Sequence, residues 1–92
     1  METVVLKFGG TSVGSLDRIR AVARLVADSR SEALPVVVVS AMSGETNRLL
    51  GLAREIQKDP DPRELDMLAS TGEQASVALL SMAAASILVL AP

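Results

Sequence analysis

The sequence predicts an α/β fold: a parallel βαβ core with helices on the sheet faces and a sheet left incomplete. Three observations carry this. Two β-branched apolar runs, Thr3 to Phe8 and Val36 to Val39, flank an amphipathic stretch from Leu16 to Arg30. Strand, helix and strand within about forty residues imply parallel pairing and a right-handed crossover. Both runs then end in polar, glycine-bearing loops, which a parallel sheet delivers to one edge, where open α/β sheets bind ligands.

The first strand, residues 3–8, feeds Lys7-Phe8-Gly9-Gly10-Thr11-Ser12-Val13-Gly14-Ser15. A glycine-rich turn entering a helix N-terminus aims backbone N–H groups and a helix dipole at one spot, which suits an anion. Lys7 adds a mobile positive charge, and a polyphosphate is the expected guest. The spacing fits neither G-x-x-x-x-G-K-[ST] nor G-x-G-x-x-G, and a bare Gly-Gly also serves as a simple turn. In the helix that follows, Ile19, Val22, Ala23 and Val26 share one face, Ser15 is the cap and Asp17 complements the dipole.

Ser31 to Pro35 reads as a connection. Val36-Val37-Val38-Val39 has the unbroken apolar character of a strand covered on both faces. The loop Ser40 to Asn47 leads to a second amphipathic helix carrying Leu49, Leu50, Leu52, Ala53 and Ile56. Asp59-Pro60-Asp61-Pro62 breaks it. A third helix then starts with Asp61 as cap, Pro62 at the first helical position and Glu64 reaching back. Ser70-Thr71-Gly72 predicts an interruption, with Glu73 opening a final helix through Met82. The uncharged stretch Ala75 to Pro92 is near the length of a membrane span. It lacks basic or aromatic anchors, so it reads as a buried helix running into a strand, Ile87 to Leu90.

Composition narrows the chemistry. Of 92 residues, 49% are hydrophobic, yet Phe8 is the only aromatic, so the core consists of small and aliphatic side chains. Base-stacking platforms are absent, and a net charge of -2 without a basic run argues against nucleic acid as the main partner. Without Cys or His there are no disulfides, no thiol or imidazole catalysis and few ligands for transition metals. Any metal is a hard cation such as Mg²⁺. The N-terminus has no signal-peptide pattern, and a cytoplasmic location is expected.

Three separated motifs occur in order: Lys7-Phe8-Gly9-Gly10-Thr11-Ser12-Val13, then Val38-Val39-Ser40-Ala41-Met42-Ser43-Gly44-Glu45-Thr46-Asn47, then Arg63-Glu64-Leu65-Asp66 with Ser70-Thr71-Gly72-Glu73-Gln74. Together they resemble the N-terminal portion of the aspartate kinases, within the amino-acid kinase family. The resemblance implies a partial amino-acid kinase (carbamate-kinase-like) fold and phosphoryl transfer from MgATP to the side-chain carboxylate of L-aspartate. It implies that Lys7 is the catalytic cation, and that Lys7, Phe8, Gly9, Gly10, Thr11 and Ser12 bind the ATP phosphates. Ser40, Thr46 and Glu73 would form the aspartate side, Glu73 clamping the substrate ammonium. Singly, Ser40, Ser43 and Thr46 also fit strand-end or helix-cap roles, and Glu73 fits a helix start. Arg48 and Arg63 read as solvated and Met42 as core filler.

The resemblance covers residues 1 to about 82 and makes residues 1–92 part of one kinase domain, with 83–92 a divergent tail. The family's adenine-binding half, Mg²⁺ ligands and regulatory domains have no counterpart, so the chain reads as a truncated, inactive portion. The alternative is a non-catalytic module that binds an anion or self-associates through bare sheet edges.

Overall fold

The computed structural model describes residues 1–90. β1 (Thr3–Phe8) and β2 (Leu34–Val39) pair in parallel, in register from Thr3 opposite Leu34 to Phe8 opposite Val39. The crossover between them is α1 (Leu16–Ser29), and α2 (Glu45–Ile56) and α3 (Pro62–Leu90) follow. Pro35, expected in the connection, lies inside β2, where a two-stranded sheet leaves its missing N–H at a tolerated position.

The core forms where the apolar stripe of α1 meets one face of the sheet and the C-terminal part of α3. Ile19, Val22, Ala23 and Val26 are buried at the spacing the sequence predicts, together with Val13 and Leu80. Leu6, Phe8, Val37 and Val39 close it from the sheet, and Met42, Leu79, Ala83, Ala84 and Ile87 from its margins. The Ser15 hydroxyl caps α1 by accepting the Arg18 N–H at 3.2 Å. The Asp61 carboxylate caps α3 by accepting the Arg63 N–H at 2.8 Å.

Two expectations about the second half are corrected. Ser70-Thr71-Gly72 does not interrupt a helix, and Ile87 to Leu90 is not a strand, because α3 runs unbroken through both. The hydroxyls of Ser70 and Thr71 turn back onto the carbonyls of Met67 and Leu68, at 2.7 and 2.6 Å, and so do not cap a new helix. Further along, Leu80, Ala83, Ala84 and Ile87 meet the core at helical spacing, and that shared burial outweighs the β-branched bias of the last residues. Ala91 and Pro92 of the expected divergent tail lie outside the described residues.

The sheet is also covered differently from expectation. Burial alternates along β2, and among the described residues only one of its faces is packed. Val5, Leu34, Val36 and Val38 stand on the other face at 66, 52, 49 and 47% exposure. Among the described residues no helix is long and apolar enough to cross a membrane.

The two faces predict opposite responses to mutation. Ile19→Ala should cost about 2–4 kcal/mol of unfolding free energy by urea denaturation. Val5→Thr should change it by less than about 1 kcal/mol. The reverse order would contradict this placement of the core.

Candidate functional site

Because β1 and β2 are parallel and end in register, the segments leaving Phe8 and Val39 emerge side by side. The backbone ties them together. The Ser40 N–H donates to the Phe8 carbonyl and the Ser43 N–H to the Gly10 carbonyl, both at 3.1 Å. A Cβ at Gly10 would lie 2.9 Å from the Ala41 carbonyl oxygen, so a side chain there would force the loops apart. Gly44 has φ +81°, a left-handed conformation natural to glycine, and starts α2 without a side-chain cap. Ser43, a candidate cap in the sequence, does not serve as one.

Gly9 differs from both. Its φ is not in the left-handed region, and a Cβ there would meet nothing within 4 Å. Protein packing therefore does not explain the glycine, and the space before it is open. Around it, the Ser12 N–H donates to the Gly9 carbonyl at 3.0 Å and the Gly14 N–H to the Thr11 carbonyl at 3.3 Å. The N–H groups of Gly10 and Thr11 have no protein acceptor among the described residues. The turn thus presents unpaired donors beside a backbone position with room in front of it, an arrangement suited to an anion.

The sequence-derived candidates fall into distinct places. Lys7 is exposed and alternates with the inward Leu6 and Phe8, so it shares the open sheet face with Val5 and its register partner Val38. The Phe8 side chain packs against the core. Thr11 is exposed and Ser12 half-buried. Ser40 is half-buried at the end of β2, and Thr46 is exposed in the first turn of α2.

Glu73 is exposed on α3 and lines a cleft of about 540 Å³ with Val37, Val38, Val39, Ser70 and Gln74. It lies well inside the helix, so it does not serve a helix N-terminus. Another cleft, about 400 Å³ between α2 and α3, is apolar and lined by residues such as Leu52, Ile56, Leu65 and Leu68, none of which belongs to either loop. No group of three metal-ligating side chains gathers among the described residues.

Two roles at the site were not read from the sequence, where Arg48 reads as solvated and Gly72 as part of a break. The Arg48 guanidinium donates through Nε and Nη2 to the two carboxylate oxygens of Glu45, at 3.0 and 2.5 Å, a pairing signalled only by the i,i+3 spacing. The Arg48 hydrogen bond holds the Glu45 carboxyl below its ordinary range and raises the Arg48 guanidinium. A carboxyl lowered by folding adds stability above its unfolded pKa and loses it as the pH falls through the folded one. Both groups are solvated, which keeps the effect small. The second feature is Gly72, whose missing side chain brings α3 against Ala41, Glu45 and Leu49.

Residues 2–91 match the family model described as the amino acid kinase family. The chain is 61% identical over 84 residues to the aspartokinase of Pseudomonas aeruginosa, covering 90% of this chain and 20% of that protein. It is 53% identical over 83 residues to the aspartokinase of Geobacillus stearothermophilus, covering 89% and 20% respectively. A crystal structure of aspartate kinase from Synechocystis superposes with a TM-score of 0.87 at 52% identity, over 92% of this chain and 15% of that one. The chain thus spans about a fifth of the length of the curated relatives it matches. With the family model spanning nearly its whole length and the fold agreeing with a solved aspartate kinase, this chain belongs to the amino acid kinase family.

Proposed function

We propose that these residues form the phosphate-holding and aspartate-facing part of an aspartate kinase, acting in the cytoplasm at the first step toward lysine, threonine and methionine. The reaction is transfer of a phosphoryl group from MgATP to the side-chain carboxylate of L-aspartate, giving 4-phospho-L-aspartate. The observation that carries the reading is Gly9, a glycine with open space before it, beside the unpaired N–H groups of Gly10 and Thr11.

ATP would supply the phosphoryl group, and the Mg²⁺ bound with it a counter-charge to the phosphate oxygens. The turn from Gly9 to Ser12 contributes fixed N–H dipoles, and Lys7 a mobile ammonium, to the negative charge spread over a phosphoryl group in flight. Fixed donors act without reorganising, whereas water would have to reorient. Two anions must also meet, and these positive groups reduce their repulsion. On the aspartate side, the carboxylate of Glu73 pairs with the substrate ammonium, and the hydroxyls of Ser40 and Thr46 donate to its carboxylates.

A second reading, self-association of a non-catalytic module, is favoured by one observation: the open sheet face bearing Val5, Leu34, Val36 and Val38. Light scattering on the purified chain distinguishes it, a monomer at high concentration counting against association.

The catalytic reading is tested by grafting the matching segment of this chain into the Pseudomonas aeruginosa aspartokinase. The graft should retain aspartate-dependent ADP release, and Lys7→Ala in it should lower kcat on the order of a hundredfold or more. An active Lys7→Ala graft would refute the assignment of that lysine. The 92 residues by themselves should form no measurable aspartyl phosphate in a hydroxamate assay, because the described residues supply a phosphate turn without a gathered set of metal ligands.

A further inference from the structure

A glycine inside a helix is the costliest ordinary choice short of proline. Two helical positions carry one, and they differ. A Cβ at Gly51 of α2 would meet nothing within 4 Å. At Gly72 of α3, a buried position, it would lie 3.0 Å from the Ala41 Cβ, 3.4 Å from the Glu45 Cγ and 3.6 Å from the Leu49 Cδ1. The first of these is well inside the separation at which two carbons attract.

Two of these neighbours, Ala41 and Glu45, matter by what stands next to them. Ala41 follows Ser40, Glu45 precedes Thr46, and Gly72 itself precedes Glu73. The three residues assigned to aspartate therefore flank one contact between α3 and the loop leading into α2. Ala41 cannot readily retreat, since its segment is held by the Ser40 and Ser43 backbone bonds to β1 and its loop, and its carbonyl oxygen abuts Gly10.

We infer that Gly72 is a positioning residue: the absence of a side chain there sets how closely α3 approaches the Ala41–Glu45 segment, and so holds Glu73 at its working distance from Ser40 and Thr46. The inference rests on the aspartate-site reading of those three residues. Adding a methyl group at 72 moves α3, and Glu73 with it, while the loop carrying Gly9 and Gly10 stays in place.

The test uses the grafted aspartokinase. Gly72→Ala should raise the KM for aspartate about tenfold while leaving the KM for ATP within about twofold. Ala41→Gly, which removes the opposing methyl group, should bring the aspartate KM back to within about threefold of the starting value when combined with it. Gly51→Ala should change neither constant.

If Gly72→Ala does not accumulate as folded protein, Ala41→Val crowds the same contact from the other side and should shift the same constant. An unchanged aspartate KM, or equal shifts for both substrates, in an otherwise active graft would overturn the inference alone. A graft inactive before any substitution would overturn the aspartate-site reading, and the inference with it.

Discussion

The structure depends on the close approach of two backbone segments at the carboxyl edge of a parallel sheet. Gly10 has no side chain where the Ala41 carbonyl passes, and the Ser43 N–H bonds to the Gly10 carbonyl. With that contact made, the first turn cannot swing away from the second, and its unpaired donors are held in one place. Preorganised donors of this kind hold negative charge without reorganising, which is the physical advantage a phosphoryl-transfer site needs.

α3 is the second constraint, and its packed side serves the site at Gly72 and the core from Leu80 onward. Gly72 meets the loop before α2 and α2 itself. Ser76, one turn on, is fully buried with its hydroxyl turned to the Gly72 carbonyl at 3.4 Å. Leu80, Ala83, Ala84 and Ile87 then fill the space toward α1. Gly72 and Ser76 allow close approach at the site end, and Leu80 and Ile87 with two alanines build the core at the other. A single continuous helix thus ties the position of Glu73 to the packing of the core, which two helices joined at a Ser-Thr-Gly break would not do.

The sheet faces are unequal in the same way. Val36 and Val38 are as apolar as Val37 and Val39, yet the described residues pack only the latter pair, half-buried, against the core. The strand therefore carries more apolar surface than these 90 residues cover, and Lys7 projects from that open side. An unbroken β-branched run states that a strand favours burial on both faces. It does not state which segment provides the second cover.

By itself the sequence determined the local elements and their order. The β-branched runs, the stripe Ile19, Val22, Ala23 and Val26, the caps at Ser15 and Asp61 and the glycine turn after Phe8 are short-range effects, legible residue by residue. Three ordered motifs were enough to indicate the family. The tertiary structure decided what depends on contacts distant in sequence. Ser70-Thr71-Gly72 has the composition of a break, but its hydroxyls bond back along the helix and its glycine serves a contact 31 positions away, at Ala41. Ile87 was drawn into the helix by packing beside Leu80 and Ala84, against local propensity. Likewise the separate reasons for Gly9, Gly10 and Gly72 are indistinguishable in a sequence, because a glycine records only that a side chain is missing. What fills or approaches that space is a property of the folded chain.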